Sequence, residues 1–249
     1  MLLDGKGRLT KTVKFKLQQG RLRHDVGDPI KQAMVYEAQL ADELFLLDIR
    51  ASKQGRGISY LKEWALKLSN VLTIPLTVGG GIRSVWDVQT LLRAGADRVV
   101  IGSEATRGMG IIREASRAFG SQCITVAVDY RWDGQRWVFY SERGTRGAGI
   151  FSHTYLRYIE QMGAGEILLT SIDKEGTMLG YDLETIKRAS REVSIPLVAH
   201  GGAGKAEDLV EAVRAGASAV AASSLWCFTD QSPIKAKAYM ERHGISVRR

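Results

Sequence analysis

Carboxylates and glycines stand where apolar runs stop. Asp4 follows Leu2–Leu3, Asp48 ends ELFLLD (Glu43–Asp48) and Asp129 ends CITVAVD (Cys123–Asp129). Asp173 and Glu175 trail the run Glu166–Thr170. A carboxylate at the end of a buried strand can exchange a proton with a substrate, and two in unlike environments divide acid from base. Asp4 and Asp129 share an apolar–Asp–x–basic pattern ahead of a glycine, in LLDGKG and AVDYRWDG, and are expected to face each other as the catalytic pair. Gly80–Gly81 precede Gly102–Ser103, and Gly201–Gly202 precede Ser223–Ser224. Glycines at strand ends let the backbone approach a ligand and aim free N–H groups at an anion. Two such loops fit a molecule with a phosphate at each end and its middle over Asp129, which is catalysis by positioning. Asp48, Thr170 and Glu175, with Lys11 from the loop after the first strand, are expected to touch that molecule. Substituting valine at Gly81 or Gly202 is expected to weaken phosphate binding and spare the fold.

The elements that must hold these groups are written twice. Thr73–Ala105 recurs at Ser194–Trp226 with an ungapped offset of 121 (194 − 73), and Ile74/Ile195, Pro75/Pro196, Gly80/Gly201, Gly81/Gly202, Asp87/Asp208 and Ser103/Ser224 coincide. Each copy reads as strand, glycine loop, helix, strand, which is a parallel pair with a crossover helix. A period near half the chain means two similar halves. The remaining apolar runs, Met1–Asp4, Glu43–Asp48, Cys123–Asp129 and Glu166–Thr170, bring the strands to eight, each followed by a helical stretch. Near-continuous apolar strands mark a parallel sheet covered on its outer face. The pattern predicts one (β/α)8 TIM barrel spanning residues 1–249, with its site at the carboxyl ends of the strands. A doubly wound open sheet is the alternative that the repeat argues against. DG and RG turns around Trp137–Tyr140 predict a hairpin inserted over residues 130–149.

Composition narrows the class. At 45% hydrophobic and 25% charged residues the chain is ordinary globular protein, and a net charge of +8 suits anionic small molecules. Lysines are spread out, without zinc, RNP or helix-turn-helix patterns, so no nucleic-acid partner is expected. Cys123 and Cys227 sit in apolar patterns and read as buried free thiols of a reducing, cytoplasmic protein. No apolar run is long enough for a membrane span, and the start lacks the plan of a signal peptide. His24, His153, His200 and His243 make no metal set; His200 takes the place of the first glycine of the second loop.

Several longer motifs carry a family resemblance. TVGGGIR (Thr77–Arg83), GSQCITVAVD (Gly120–Asp129), GAGEILLTSIDKEGT (Gly163–Thr177), GYD (Gly180–Asp182), HGGAGKAED (His200–Asp208) and HGISVR (His243–Arg248) together resemble the HisF family, the cyclase subunits of imidazole glycerol phosphate synthase. The likeness runs from about Gly27 onward. It implies a (β/α)8 barrel and a lyase that needs no cofactor. Its substrates are a bis-phosphate ribulosyl aminoimidazole carboxamide nucleotide and ammonia, and its products are imidazole glycerol phosphate and AICAR. It also implies a HisH-type glutaminase partner, docked at the opposite barrel face, whose ammonia passes through the barrel. Asp129 matches the second catalytic aspartate, the two glycine–serine sets match the phosphate sites, and Glu43, Arg98 and Glu166 match three of four charged residues gating the ammonia entrance.

Some positions depart from the family pattern. The family's opening CLDVKDGR is shortened to MLLDGKGR, so aligning Asp4 with the first catalytic aspartate needs a one-residue deletion. The fourth gate residue, an arginine, would fall before residue 1. Glu175 stands for the aspartate of DGT, Gly102 for an asparagine and Thr12 for a flap glycine. These departures resemble a branch of HisF-like proteins that supply ammonia to a sugar amidotransferase in surface-polysaccharide (lipopolysaccharide) synthesis. That leaves an accessory, ammonia-conducting subunit as the alternative to a cyclase. The sugar isomerase of the same pathway shares the half-barrel repeat but uses no ammonia, and KEGT with the Glu43/Arg98/Glu166 set argues against it.

Overall fold

The structure is a computed structural model that describes residues 1–3, 9, 12–14, 16–17, 26–48, 57–142, 144–150 and 153–248. The barrel strands are β1 (Leu2–Leu3), β4 (Leu44–Asp48), β5 (Leu76–Gly79), β6 (Arg98–Ile101), β7 (Ile124–Trp132), β10 (Glu166–Ser171), β11 (Leu197–His200) and β12 (Ala219–Ala221). They pair in parallel in that order. The helices between them are α1 (Pro29–Ala38), α2 (Gly57–Ser69), α3 (Val85–Arg93), α4 (Ser103–Arg107), α5 (Gly110–Phe119), α6 (His153–Gln161), α7 (Leu183–Ala189), α8 (Ala206–Arg214), α9 (Ser224–Phe228) and α10 (Pro233–Arg242). The chain is a (β/α)8 barrel. Its ends meet where Tyr36 Oη of α1 lies 3.3 Å from Cys227 Sγ of α9. Both cysteines are free and only half-buried, and Cys123 sits in a 3₁₀ turn rather than a strand. Among the described residues no helix is long and apolar enough to cross a membrane.

Two apolar layers hold the ring. The larger packs the outer strand faces against the helices, with Leu3, Leu46, Val78, Val99, Ile101, Val126 and Ile167 fully or nearly fully buried. The smaller fills the barrel interior with Val100, Leu168 and Val198, bordered by Phe45, Leu47, Ala127 and Ala221. Over residues 130–150 the chain leaves the ring. β7 runs on past the barrel and pairs antiparallel with β8 (Trp137–Ser141), which pairs with β9 (Arg146–Ile150). Near the first strand a minimal antiparallel pair, β2 (Thr12–Val13) with β3 (Lys16–Leu17), lies against the loop after β10. There Lys14 N donates to Glu175 O at 2.9 Å, and Thr12 Oγ1 donates to Glu175 Oε1 at 2.6 Å.

The 121-residue repeat is a repeat of hydrogen bonds as well as letters. Asp97 Oδ2 accepts from Leu76 N at 2.8 Å, and Ser218 Oγ accepts from Leu197 N at 3.2 Å. Asp87 accepts from Arg83 N and Ser84 N at 2.8 and 3.0 Å, and Asp208 from Gly204 N and Lys205 N at 2.8 and 3.1 Å. These carboxylates tie down donors that a helix start leaves unpaired. Asp208 is 4% exposed, so water cannot replace it. Asp208→Ala should therefore cost about 2 kcal/mol in urea denaturation, and Asp87→Ala, at a more open site, about 1 kcal/mol.

Candidate functional site

The β-strand register gathers the chemistry at one mouth. Thr170 of β10 pairs with Asp129 of β7 on one side and His200 of β11 on the other. All three point inward and line a cavity of about 150 Å³ with Asp48, Gly80, Gly81, Gly102 and Ser103. A second cavity of about 20 Å³ is lined by Glu175, Gly201, Gly202, Ser223 and Ser224. His200 belongs to both walls. The two glycine–serine sets, Asp48, Asp129, Thr170 and Glu175 thus lie at the carboxyl ends of the strands. Asp173 lines neither cavity, and its Oδ2 accepts from Trp132 N at 3.2 Å. Asp4 and Lys11, expected at the same mouth, lie outside the described residues.

Asp129 is half-buried in the cavity wall. Burial raises its pKa, the Thr170 hydroxyl pulls it back and the Glu175 carboxylate pushes it up again, leaving it at about 7. Such a group is half protonated at neutral pH and can give or take a proton. Burial holds the His200 imidazole neutral by pushing it down to about 4, and its Nδ1 lies 3.2 Å from Thr170 Oγ1.

The glycines at the two cradles answer a packing need before any ligand arrives. At Gly80 a Cβ would sit 2.5 Å from Asp48 O, and at its counterpart Gly201 2.8 Å from Ser171 O, with φ at +130° and +95°. Each strand end is pressed against the last carbonyl of its neighbour, and a side chain there would force the strands apart. At the first cradle the hairpin adds charge that the sequence reading missed. Ser103 Oγ accepts from Glu142 N at 3.0 Å. Arg107, in the cavity wall, bonds Glu104 at 3.2 Å and Glu142 at 3.1 Å. The signal available was a Glu–x–x–Arg spacing after β6, but nothing in the sequence placed Glu142 beside it.

The opposite mouth carries a polar tier. Arg98 bonds Glu43 Oε2 at 2.7 Å, Thr77 Oγ1 donates to Glu43 Oε1, and Thr125 Oγ1 donates to Glu166 Oε1 at 2.8 Å. Burial alone would lower the Arg98 guanidinium; Glu43 and Glu166 overcome it and push it up. Burial also raises the Glu166 carboxyl. Glu43, Arg98 and Glu166 are therefore one interacting set, a strand's length from Asp129.

An eight-stranded barrel with a two-half repeat, paired glycine cradles and an acidic group tuned to neutrality at its carboxyl mouth defines a (β/α)8-barrel enzyme scaffold. The family model described as "Histidine biosynthesis protein" matches residues 6–230. Relatives described as "Imidazole glycerol phosphate synthase subunit HisF" include that of Pyrobaculum aerophilum, 43% identical across 99% of this chain and 95% of the relative. That of Hyphomonas neptunium is 44% identical across 90% and 88%, and that of Thermococcus gammatolerans 38% identical across 97% and 93%. The chain belongs to the histidine-biosynthesis protein family, among its HisF subunits.

Proposed function

We propose that this chain is a cyclase that converts the bis-phosphate ribulosyl aminoimidazole carboxamide nucleotide and glutamine-derived ammonia to imidazole glycerol phosphate and AICAR. The observation that carries this reading is Asp129, held near neutrality between two glycine–serine cradles at one mouth. Gly80, Gly81, Gly102 and Ser103 take one phosphate of the substrate. Gly201, Gly202, Ser223 and Ser224 take the other, and Asp48, Thr170 and Glu175 line the span between. Nitrogen that enters as ammonia must shed protons to become part of an aromatic ring, and the departing nucleotide needs one. A single carboxyl at about 7 serves both directions.

Ammonia enters from a glutaminase of the HisH type docked at the far mouth, as the other subunit of a cytoplasmic heterodimer. Glu43, Arg98 and Glu166 form the gate there. Beyond them the apolar interior around Val100, Leu168 and Val198 favours neutral ammonia over ammonium. Purified protein given the nucleotide and a high concentration of ammonium salt tests the reading. Ammonia-dependent loss of substrate absorbance is expected, and intact substrate binding without turnover would shift the chain to the accessory role beside a sugar amidotransferase.

Arg107 gives a smaller, separate test. A phosphate in the first cradle would draw its guanidinium from Glu104 and Glu142. Its side chain is half exposed, so the interaction is worth about 1 kcal/mol. Arg107→Ala should weaken bis-phosphate binding roughly fivefold by titration calorimetry and leave the melting temperature unchanged.

A further inference from the structure

Among the described residues His200 is the one wall residue that the two cavities share, and neither cradle nor carboxylate explains it. Its room was made by a swap between the halves of the repeat. Gly79, its counterpart 121 residues earlier (200 − 79), pairs with Val100, and a Cβ there would lie 2.6 Å from Val100 Cβ. His200 pairs with Ala221, the counterpart of Val100. The first half sets glycine beside valine; the second sets histidine beside alanine. The second half thus carries an imidazole at the axis where the first carries none.

The imidazole is wired to the acid. Thr170 stands between Asp129 and His200 in the ladder and hydrogen-bonds both. A hydroxyl has one proton to donate. When Thr170 donates to the Asp129 carboxylate, it must accept from His200 Nδ1–H, which leaves Nε2 a bare lone pair. When Asp129 is protonated and donates to Thr170, the hydroxyl turns to His200 Nδ1, and Nε2 carries the hydrogen. The charge state of Asp129 therefore sets the tautomer of His200.

We infer that His200 is a second acid/base residue of this centre, its tautomer coupled to Asp129 through the Thr170 hydroxyl. This rests on the cyclase reading above. The transfer balances. Nε2 takes a proton from the bound molecule, Nδ1 passes its own to Thr170 Oγ1, and Thr170 passes its own to the Asp129 carboxylate. The imidazole ends neutral, the aspartate ends as the acid, and the reverse sequence delivers a proton from Nε2. Keeping the ring neutral suits its surroundings, because burial opposes an imidazolium there. The groups facing it are Asp129 from β7, Asp48 from β4, Glu175 from the loop after β10 and the Met1 amino group.

Two measurements test this. In protein labelled with ¹⁵N-histidine, the His200 Nδ1 and Nε2 signals should exchange character as Asp129 titrates, and Thr170→Val should abolish the exchange while Thr170→Ser keeps it. A His200 tautomer that stays fixed through that titration would overturn the coupling, whatever the protein turns over. In the ammonia-dependent assay, His200→Asn keeps a donor near Thr170 but has no Nε2, and should lower kcat roughly 100-fold with bis-phosphate affinity within about threefold. Full kcat in His200→Asn alongside an active parent would overturn the catalytic role alone. An inactive parent would sink the cyclase reading and the catalytic role with it, leaving the labelled-histidine result to decide the relay.

Discussion

Asp129→Asn should abolish turnover and make the protein more stable. Asparagine keeps the shape and the bond to Thr170 but exchanges no proton, so kcat is expected to fall about 1,000-fold with little change in bis-phosphate affinity. The stability effect has an unusual sign for a carboxylate. Its folded pKa, about 7, lies above its ordinary 3.8. Below 3.8 both folded and unfolded chains are protonated and nothing is lost. From 3.8 to 7 the unfolded chain ionises while the folded one resists, so stability falls as pH rises, and the loss is complete above 7. The full penalty is roughly 4 kcal/mol. Asp129→Asn should therefore exceed the parent in urea midpoint at pH 8 and match it near pH 3. Equal midpoints at pH 8 would show that the carboxyl is solvated, and undiminished turnover would remove it from the reaction.

Gly202→Val is expected to cost both binding and fold. Gly202 has φ at +117°, and a Cβ would lie 2.1 Å from Gly180 O and 2.8 Å from Gly180 C. That contact is with backbone, and Gly180 N already donates to Gly202 O at 2.9 Å, so neither loop can step aside without breaking the bond. Overpacking and a forbidden backbone region together should remove roughly 3–5 kcal/mol of stability. The sequence alone leads one to expect that this change spares the fold; two backbone segments in contact, not visible in a run of glycines, are the reason a loss of stability is expected instead. Chemical denaturation reads the stability, and calorimetry with a bis-phosphate at a temperature where the variant is folded reads the affinity. A variant of parental stability would mean the loops are free to part.

The ring of strands was legible because the repeat at Thr73 and Ser194 fixes two strand–helix–strand units outright, and the buried runs supply the rest. The short helices α4 and α9 were not, because five residues carry no helical period. Asp129 was legible from its place after an apolar run. His200 was not, since the scattered histidines form no set in the sequence and only register sets this one beside Thr170. Glu142 was out of reach: it comes to Ser103 through the turn between β8 and β9, with its own φ at +50°.

The exchange of Gly79 and Val100 for His200 and Ala221 limits how the two halves could be interchanged. A chain spliced from two amino-terminal halves would close without any ring nitrogen at its centre. One spliced from two carboxyl-terminal halves would set a second imidazole opposite the first and crowd the chamber. The gene's halves are no longer spare copies of each other: one sets an aliphatic group in that space, the other an imidazole.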